Sequence, residues 1–170
     1  MLIFNRSILL AATVAILALP LEGRAQTAAT SMPANYIKVD APFAQHLIVE
    51  TKERHPEIVK LGLHATPPSM TDNAIIACDI PSKVGKKSSA PDMEKIAMNK
   101  PIAVRVEKDG IYDLLLPITD AKGRDFGKGF IVMEVPFNKA SSEADALKIG
   151  VVIRDEVQAH IPSKATLYKR

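Results

Sequence analysis

Between Pro101 and Phe137 three apolar runs, "IAVRV", "IYDLLLPI" and "FIVMEV", are separated by polar turns, and this pattern most narrows the folds open to the chain. Asp109-Gly110 lies between the first two runs. An Asp-Gly pair flanked by alternating residues is a strong short-range hairpin signal, because a tight primed turn needs positive φ. "TDAKGRD", Thr119 to Asp125, makes a second and longer turn. Two consecutive hairpins give an antiparallel three-strand meander. Its last two strands are apolar on both faces, as in a sheet covered on both sides.

Upstream, "PFAQHLIVETKERH" from Pro42 reads as a helix, with Asp40 as its cap, proline in the first turn and termination at His55 before Pro56. "EIVKLGLHA" alternates at Val59, Leu61, Leu63 and Ala65, which is strand periodicity, and Ala74 to Ile80 form a second strand after the turn "TPPSMTDN". A loop around Gly85 then leads into a short helix over Pro91 to Asn99. After "NKASS" a capping serine opens "EADALKIGVVIRDEVQAHI", whose Ala146, Ile149, Ile153 and Val157 lie on one helical face until Pro162 ends it. The expected fold is α+β. It has an antiparallel five-stranded sheet, a long N-terminal helix, a short helix between strands 2 and 3, and a C-terminal helix. One sheet face takes the helices; the long segment between strands 2 and 3 roofs the other, a natural place for a small-molecule pocket.

Residues 1–25 stand apart. Arg6 precedes the apolar run "SILLAATVAILALPL", and Gly23 and Ala25 supply the small residues of a cleavage site, so a signal peptide is expected over 1–25. The uninterrupted run from Ser7 to Leu19 is shorter than the roughly 20 apolar residues of a spanning helix. A polar tether over 26–35 and one domain over 36–170 follow. Its expected location is periplasmic or secreted. Removing residues 1–25 lowers the net charge from +3 to +2, and the chain has no Trp, which argues against a nucleic-acid surface. Cys78 is the single cysteine, so no internal disulfide forms and no Cys-rich zinc site is available; within "NAIIACDI" it reads as a small buried hydrophobe.

From Tyr36 to Phe137 the chain resembles a single Cache domain, the extracellular relative of the PAS fold. The similarity lies in the leading helix, the glycine-centred "IPSKVGKKSS" after strand 2, and "DGIYDLLLPITDAKGRDFGKGFIVMEV", which is similar to the family's Tyr, apolar run, Pro, Asp, Gly, Gly, apolar run ending. The resemblance implies a sensor that binds a small metabolite such as a carboxylate or amino acid and passes its state to a membrane-bound signalling partner. Residues after Phe137 contain no spanning run and no kinase or methyl-accepting output.

Chemistry-bearing clusters are few. His46, His55 and His64 recur every nine residues, about 900° on a helix and therefore half a turn out of phase, and Pro56 sets His64 on a strand, so no metal site is expected. His160 near the end of the last helix reads as a partner for the helix dipole. Gly123, Gly127 and Gly129 lie between strands rather than before a helix, so "GRDFGKG" is a turn and not a dinucleotide fingerprint. Asp109, Asp120 and Asp125 fall at turns, where Asp serves the local backbone. No catalytic residue and no cofactor is expected. With Asp109-Gly110 as a two-residue turn, Glu107 faces Tyr112, Arg105 faces Leu114 and Ala103 faces Leu116. Ala103, Arg105, Glu107, Tyr112, Leu114 and Leu116 then share a face, while Ile102, Val104, Val106, Ile111, Asp113 and Leu115 form the better helix-packing face.

The mixed face offers a guanidinium for carboxylates and a phenol to orient a ligand, so Arg105, Tyr112, Leu114 and Leu116 are the expected ligand-binding residues. An equal alternative is a solvated face carrying an Arg105–Glu107 pair. Arg154, on the C-terminal helix, is expected to stand outside the site. The expected function is binding of a small anionic metabolite without transformation. The alternatives are a structural or interaction module, and a small-molecule enzyme with Asp113 or His64 as base.

Overall fold

The computed structural model describes residues 32–170. The export signal read over 1–25 and most of the tether over 26–35 lie outside the described residues. The elements are α1 (Pro42–Arg54), β1 (Lys60–Ala65), β2 (Ala74–Cys78), α2 (Ala90–Ala97), β3 (Ile102–Val106), β4 (Ile111–Pro117), β5 (Phe130–Pro136), α3 (Glu143–Ala159) and α4 (Lys164–Leu167). The class is α+β, with all five strands antiparallel in the order β2-β1-β5-β4-β3. No helix among the described residues is long and apolar enough to cross a membrane.

Local sequence explains most boundaries. Ser142 caps α3 and Ser89 caps α2, each accepting a bond from the backbone N–H three residues on. The His160 imidazole takes the α3 terminus, with Nδ1 2.8 Å from the Glu156 carbonyl. Pro42 occupies the first turn of α1, but its cap is Ala41 rather than Asp40, and no side chain supplies the capping bond. The exposed edge of β2 is closed by the chain that follows it: Ile75 N–H donates to Lys86 O and Gly85 N–H donates to Ile75 O. Gly85 is required there, since its φ is +88° and a Cβ would lie 2.4 Å from Ile37 O.

The β3–β4 connection is not a two-residue turn. Glu107–Asp109 form one turn of 3-10 helix and Gly110 alone is left-handed, at φ +65°. Arg105 therefore pairs with Tyr112 and Ala103 with Leu114, a register shifted by two residues from expectation. A shift of two preserves which residues share a face.

The identity of the faces is reversed, however. Tyr112, Leu114 and Leu116 join Leu61, Leu63, Ile131 and Met133 in the main core, packed against Ala44, Leu47 and Ile48 of α1 and Ala146, Ile153 and Val157 of α3. Gly150 lets α3 approach so closely that a Cβ there would lie 2.5 Å from Leu114 Cδ1. The opposite face carries a smaller cluster, Leu115, Phe130 and Val132 beneath Ile96 of α2. The roof over this second face is the segment between β2 and β3, as the sequence suggests.

Candidate functional site

Antiparallel register sets three charged residues in a row across the roofed face. Lys60 on β1 lies opposite Glu134 on β5, and Glu134 lies opposite Asp113 on β4. One step along, Gly62 of β1 lies between Cys78 and Val132, and beyond it His64 lies between Ile75 and Phe130. A cavity of about 180 Å³ opens over this floor. Lys83, Lys86, Lys87 and Ser88, from the segment after β2, contribute to its roof. That is room for a small metabolite, below the roughly 300–1,000 Å³ of pockets for drug-sized ligands.

Hydrogen bonding fixes what the floor presents. Asn73 donates its amide protons to Gly127 O and Lys128 O, at 3.2 and 3.0 Å, so its Oδ1 is an acceptor. Ser88 donates to that oxygen at 2.6 Å, and having one proton it can only accept from His64 Nδ1, 2.8 Å away. His64 is thus the Nδ1–H tautomer, and its Nε2 carries a lone pair on the Gly62 side. Burial, aided by the nearby Lys60 charge, pushes its pKa down to about 3, so the ring is neutral; it stacks on Phe130 at 4.3 Å. Asp113 Oδ1 is buried and has no hydrogen-bond partner among the described residues. Burial raises the Asp113 pKa, Lys60 pulls it back and Glu134 adds to the rise.

Lys60 is committed to Glu134 by a short ion pair. Burial works against its ammonium, but the bond and charge of Glu134 outweigh burial and hold its pKa above the ordinary value. Cys78 is fully buried, and burial pushes its thiol up, so it stays protonated and unreactive. Lys87 pairs with Asp72 at 2.8 Å, whereas Lys83 and Lys86 make no ion pair among the described residues. The cavity therefore offers two acceptors in its floor, and the two ammonium groups without an ion pair are joined around it by the Asp92 carboxylate, which Ser89 engages at 2.7 Å.

The residues expected from sequence lie on the other face. Arg105 and Tyr112 do come together, Nη1 donating to the phenol oxygen at 2.7 Å. Arg105 also pairs with Glu107 and stacks 4.0 Å from the Phe137 ring centroid, so its cation is already engaged. Leu114 and Leu116 are completely buried beneath α3. The Arg105–Glu107 pair of the alternative reading is present, but the face that carries it packs into the core instead of facing solvent. Of the cavity residues, the sequence singles out Asp113 and His64 only as candidate bases, and Lys60 and Ser88 not at all. One signal was available: Asp113 is the sole charge inside "IYDLLLP". The three histidines are dispersed, with His46 beside Glu50 on α1 and His55 between Glu57 and Glu156. Neither a protein-family model nor a curated protein matches this chain.

Proposed function

We propose that this chain is an exported PAS-like module of the Cache type, which binds a small anionic metabolite between its sheet and the segment after β2 without transforming it. Its occupied state would pass to a membrane-bound signalling partner. The α+β class and the antiparallel five-stranded sheet are compatible with that family's architecture. The observation that carries the reading is the cavity itself: a buried Asp113 oxygen and the His64 Nε2 lone pair lie below the ammonium groups of Lys83 and Lys86, and among the described residues the Asp113 oxygen has no hydrogen-bond partner and the two lysines no ion pair. Leaving a buried acceptor unsatisfied costs about 1–3 kcal/mol, which a ligand that donates to it recovers. An anionic group on the same ligand meets the lysines.

Thermal shift of the mature protein with acetate, pyruvate, lactate, malate and glutamate tests this. A compound that binds only the folded state stabilises it by about 2.7 kcal/mol at 100 times its dissociation constant. For the compound that does so, Lys83→Ala is expected to weaken binding by about 1–2 kcal/mol, roughly 5- to 30-fold, with Arg105→Ala unchanged. No shift across the panel would favour a structural module. Loss at Arg105 but not at Lys83 would return the site to the helix-packed side.

A further inference from the structure

A larger cleft, of about 580 Å³, opens at the far end of the roofed face, where α2, the β4–β5 connection and α3 meet. Met93 and Ile96 of α2 and Pro117 and Ile118 at the end of β4 give it apolar walls. Two α3 side chains one helical turn apart, Arg154 and Gln158, reach its lip, and both are fastened to the end of β4. Arg154 Nη1 donates to Pro117 O at 2.7 Å and Nε to Asp155 at 2.6 Å, with the side chain 19% exposed. Gln158 Oε1 accepts from Thr119 N–H at 3.3 Å. The amide nitrogen of Gln158 and Nη2 of Arg154 make no bond among the described residues. Fastening one end of each side chain leaves the other end a positioned donor.

The opposite lip holds Lys128, which has no ion pair among the described residues. Its backbone is left-handed, at φ +51°, a conformation that costs a non-glycine residue roughly 1–3 kcal/mol. Glycine would avoid that cost. The one carboxylate of the lining, Asp125, accepts the Lys128 backbone N–H at 2.9 Å. Asn99, following the end of α2, adds another amide.

We propose that this cleft is a second ligand site, for a small anion bearing an apolar tail. The anion meets Arg154, Gln158 and Lys128, and the tail lies along Met93, Ile96, Pro117 and Ile118. The site shares no lining residue with the cavity over His64 and Asp113, and it stands whether or not that cavity binds anything.

The test is an amide NMR titration of the folded protein with acetate, butanoate, hexanoate and hexan-1-ol at constant ionic strength. Hexanoate is expected to shift the amides of Thr119, Gly129, Arg154 and Gln158, with affinity rising about three- to fourfold per methylene and hexanol binding at least about tenfold more weakly. Gln158→Glu keeps the oxygen that accepts from Thr119 and replaces the free donor by an anion. It should weaken hexanoate at least about tenfold and leave hexanol unchanged, which a purely structural role would not do. Lys128→Gly should hold or raise the unfolding midpoint while weakening hexanoate, separating strain from recognition. Shifts confined to the His64 cavity, affinity independent of chain length, or wild-type hexanoate affinity in folded Gln158→Glu would each overturn the proposal.

Discussion

Gly150→Ala distinguishes a β4 face sealed by α3 from one open to a ligand. In an unobstructed helix this exchange stabilises by about 1 kcal/mol, because Gly is the costlier residue in a helix interior. Here the new methyl would lie 2.5 Å from Leu114 Cδ1, 3.2 Å from Leu116 Cδ1 and 3.5 Å from Met133 Sδ. Carbon atoms prefer about 3.5–4.0 Å, so Leu114, which is fully buried, must retreat by about 1 Å within a core packed at the density usual for protein interiors. Overpacking of this kind costs about 1–3 kcal/mol. The net expectation is destabilisation by up to about 2 kcal/mol, read as a lower urea midpoint with an unchanged m-value. A double-mutant cycle sharpens the test. Leu114→Ala alone should cost about 2–5 kcal/mol, but combined with Gly150→Ala the clash disappears and the added methyl fills part of the vacated space. The pair should therefore be more stable than the sum of the singles predicts, by about 1–3 kcal/mol. Stabilisation by Gly150→Ala, together with additivity within about 0.5 kcal/mol, would refute the packing of α3 on Leu114.

His55 joins the end of α1 to α3, its two ring nitrogens each 2.7 Å from a carboxylate, Glu57 and Glu156, with Arg54 also on Glu156 and Lys139 near Glu57. Burial opposes the imidazolium, but the two carboxylates outweigh it and raise its pKa above 6.5; in turn the Glu57 and Glu156 values fall below 4.5 despite burial. The His55 contribution is complete below about pH 6.5 and is lost as pH rises through the raised value, whereas the glutamate contribution is lost as pH falls below about 4.5. Unfolding free energies from urea titrations between pH 5 and 8 should thus decline by about 0.5–1 kcal/mol on the alkaline side, and His55→Gln should flatten that decline; an unchanged profile in His55→Gln would exclude the clasp. Export predicts a mature chain beginning at or near Gln26, read by mass spectrometry of the protein recovered outside the cytoplasm, and Met1 retained in a membrane fraction would replace the free module by an anchored one.

Local chemistry determined the elements. The β3–β4–β5 meander follows from alternation and turn residues, α3 from a serine cap and apolar residues at helical spacing, and α2 from proline near a cap, all interactions within a few residues along the chain. Face-sharing along β4 was also legible, because a strand's period of two survives even the two-residue change of register caused by the 3-10 turn at Glu107–Asp109. Which face receives α1 and α3 was not. Both faces of β4 are apolar, so alternation ranked them wrongly, and the presence of Arg105 and Tyr112 on one side suggested a ligand pocket or a solvated face where Gly150 in fact admits a helix. The Lys60–Glu134–Asp113 row was equally out of reach, since it exists only when β5 inserts between β1 and β4. Likewise, Arg154 is an ordinary helix-face residue until the end of β4 comes within reach of its guanidinium. Strand insertion and helix docking are settled by the burial of whole faces over long sequence separations, and it is these long-range choices that create both cavities.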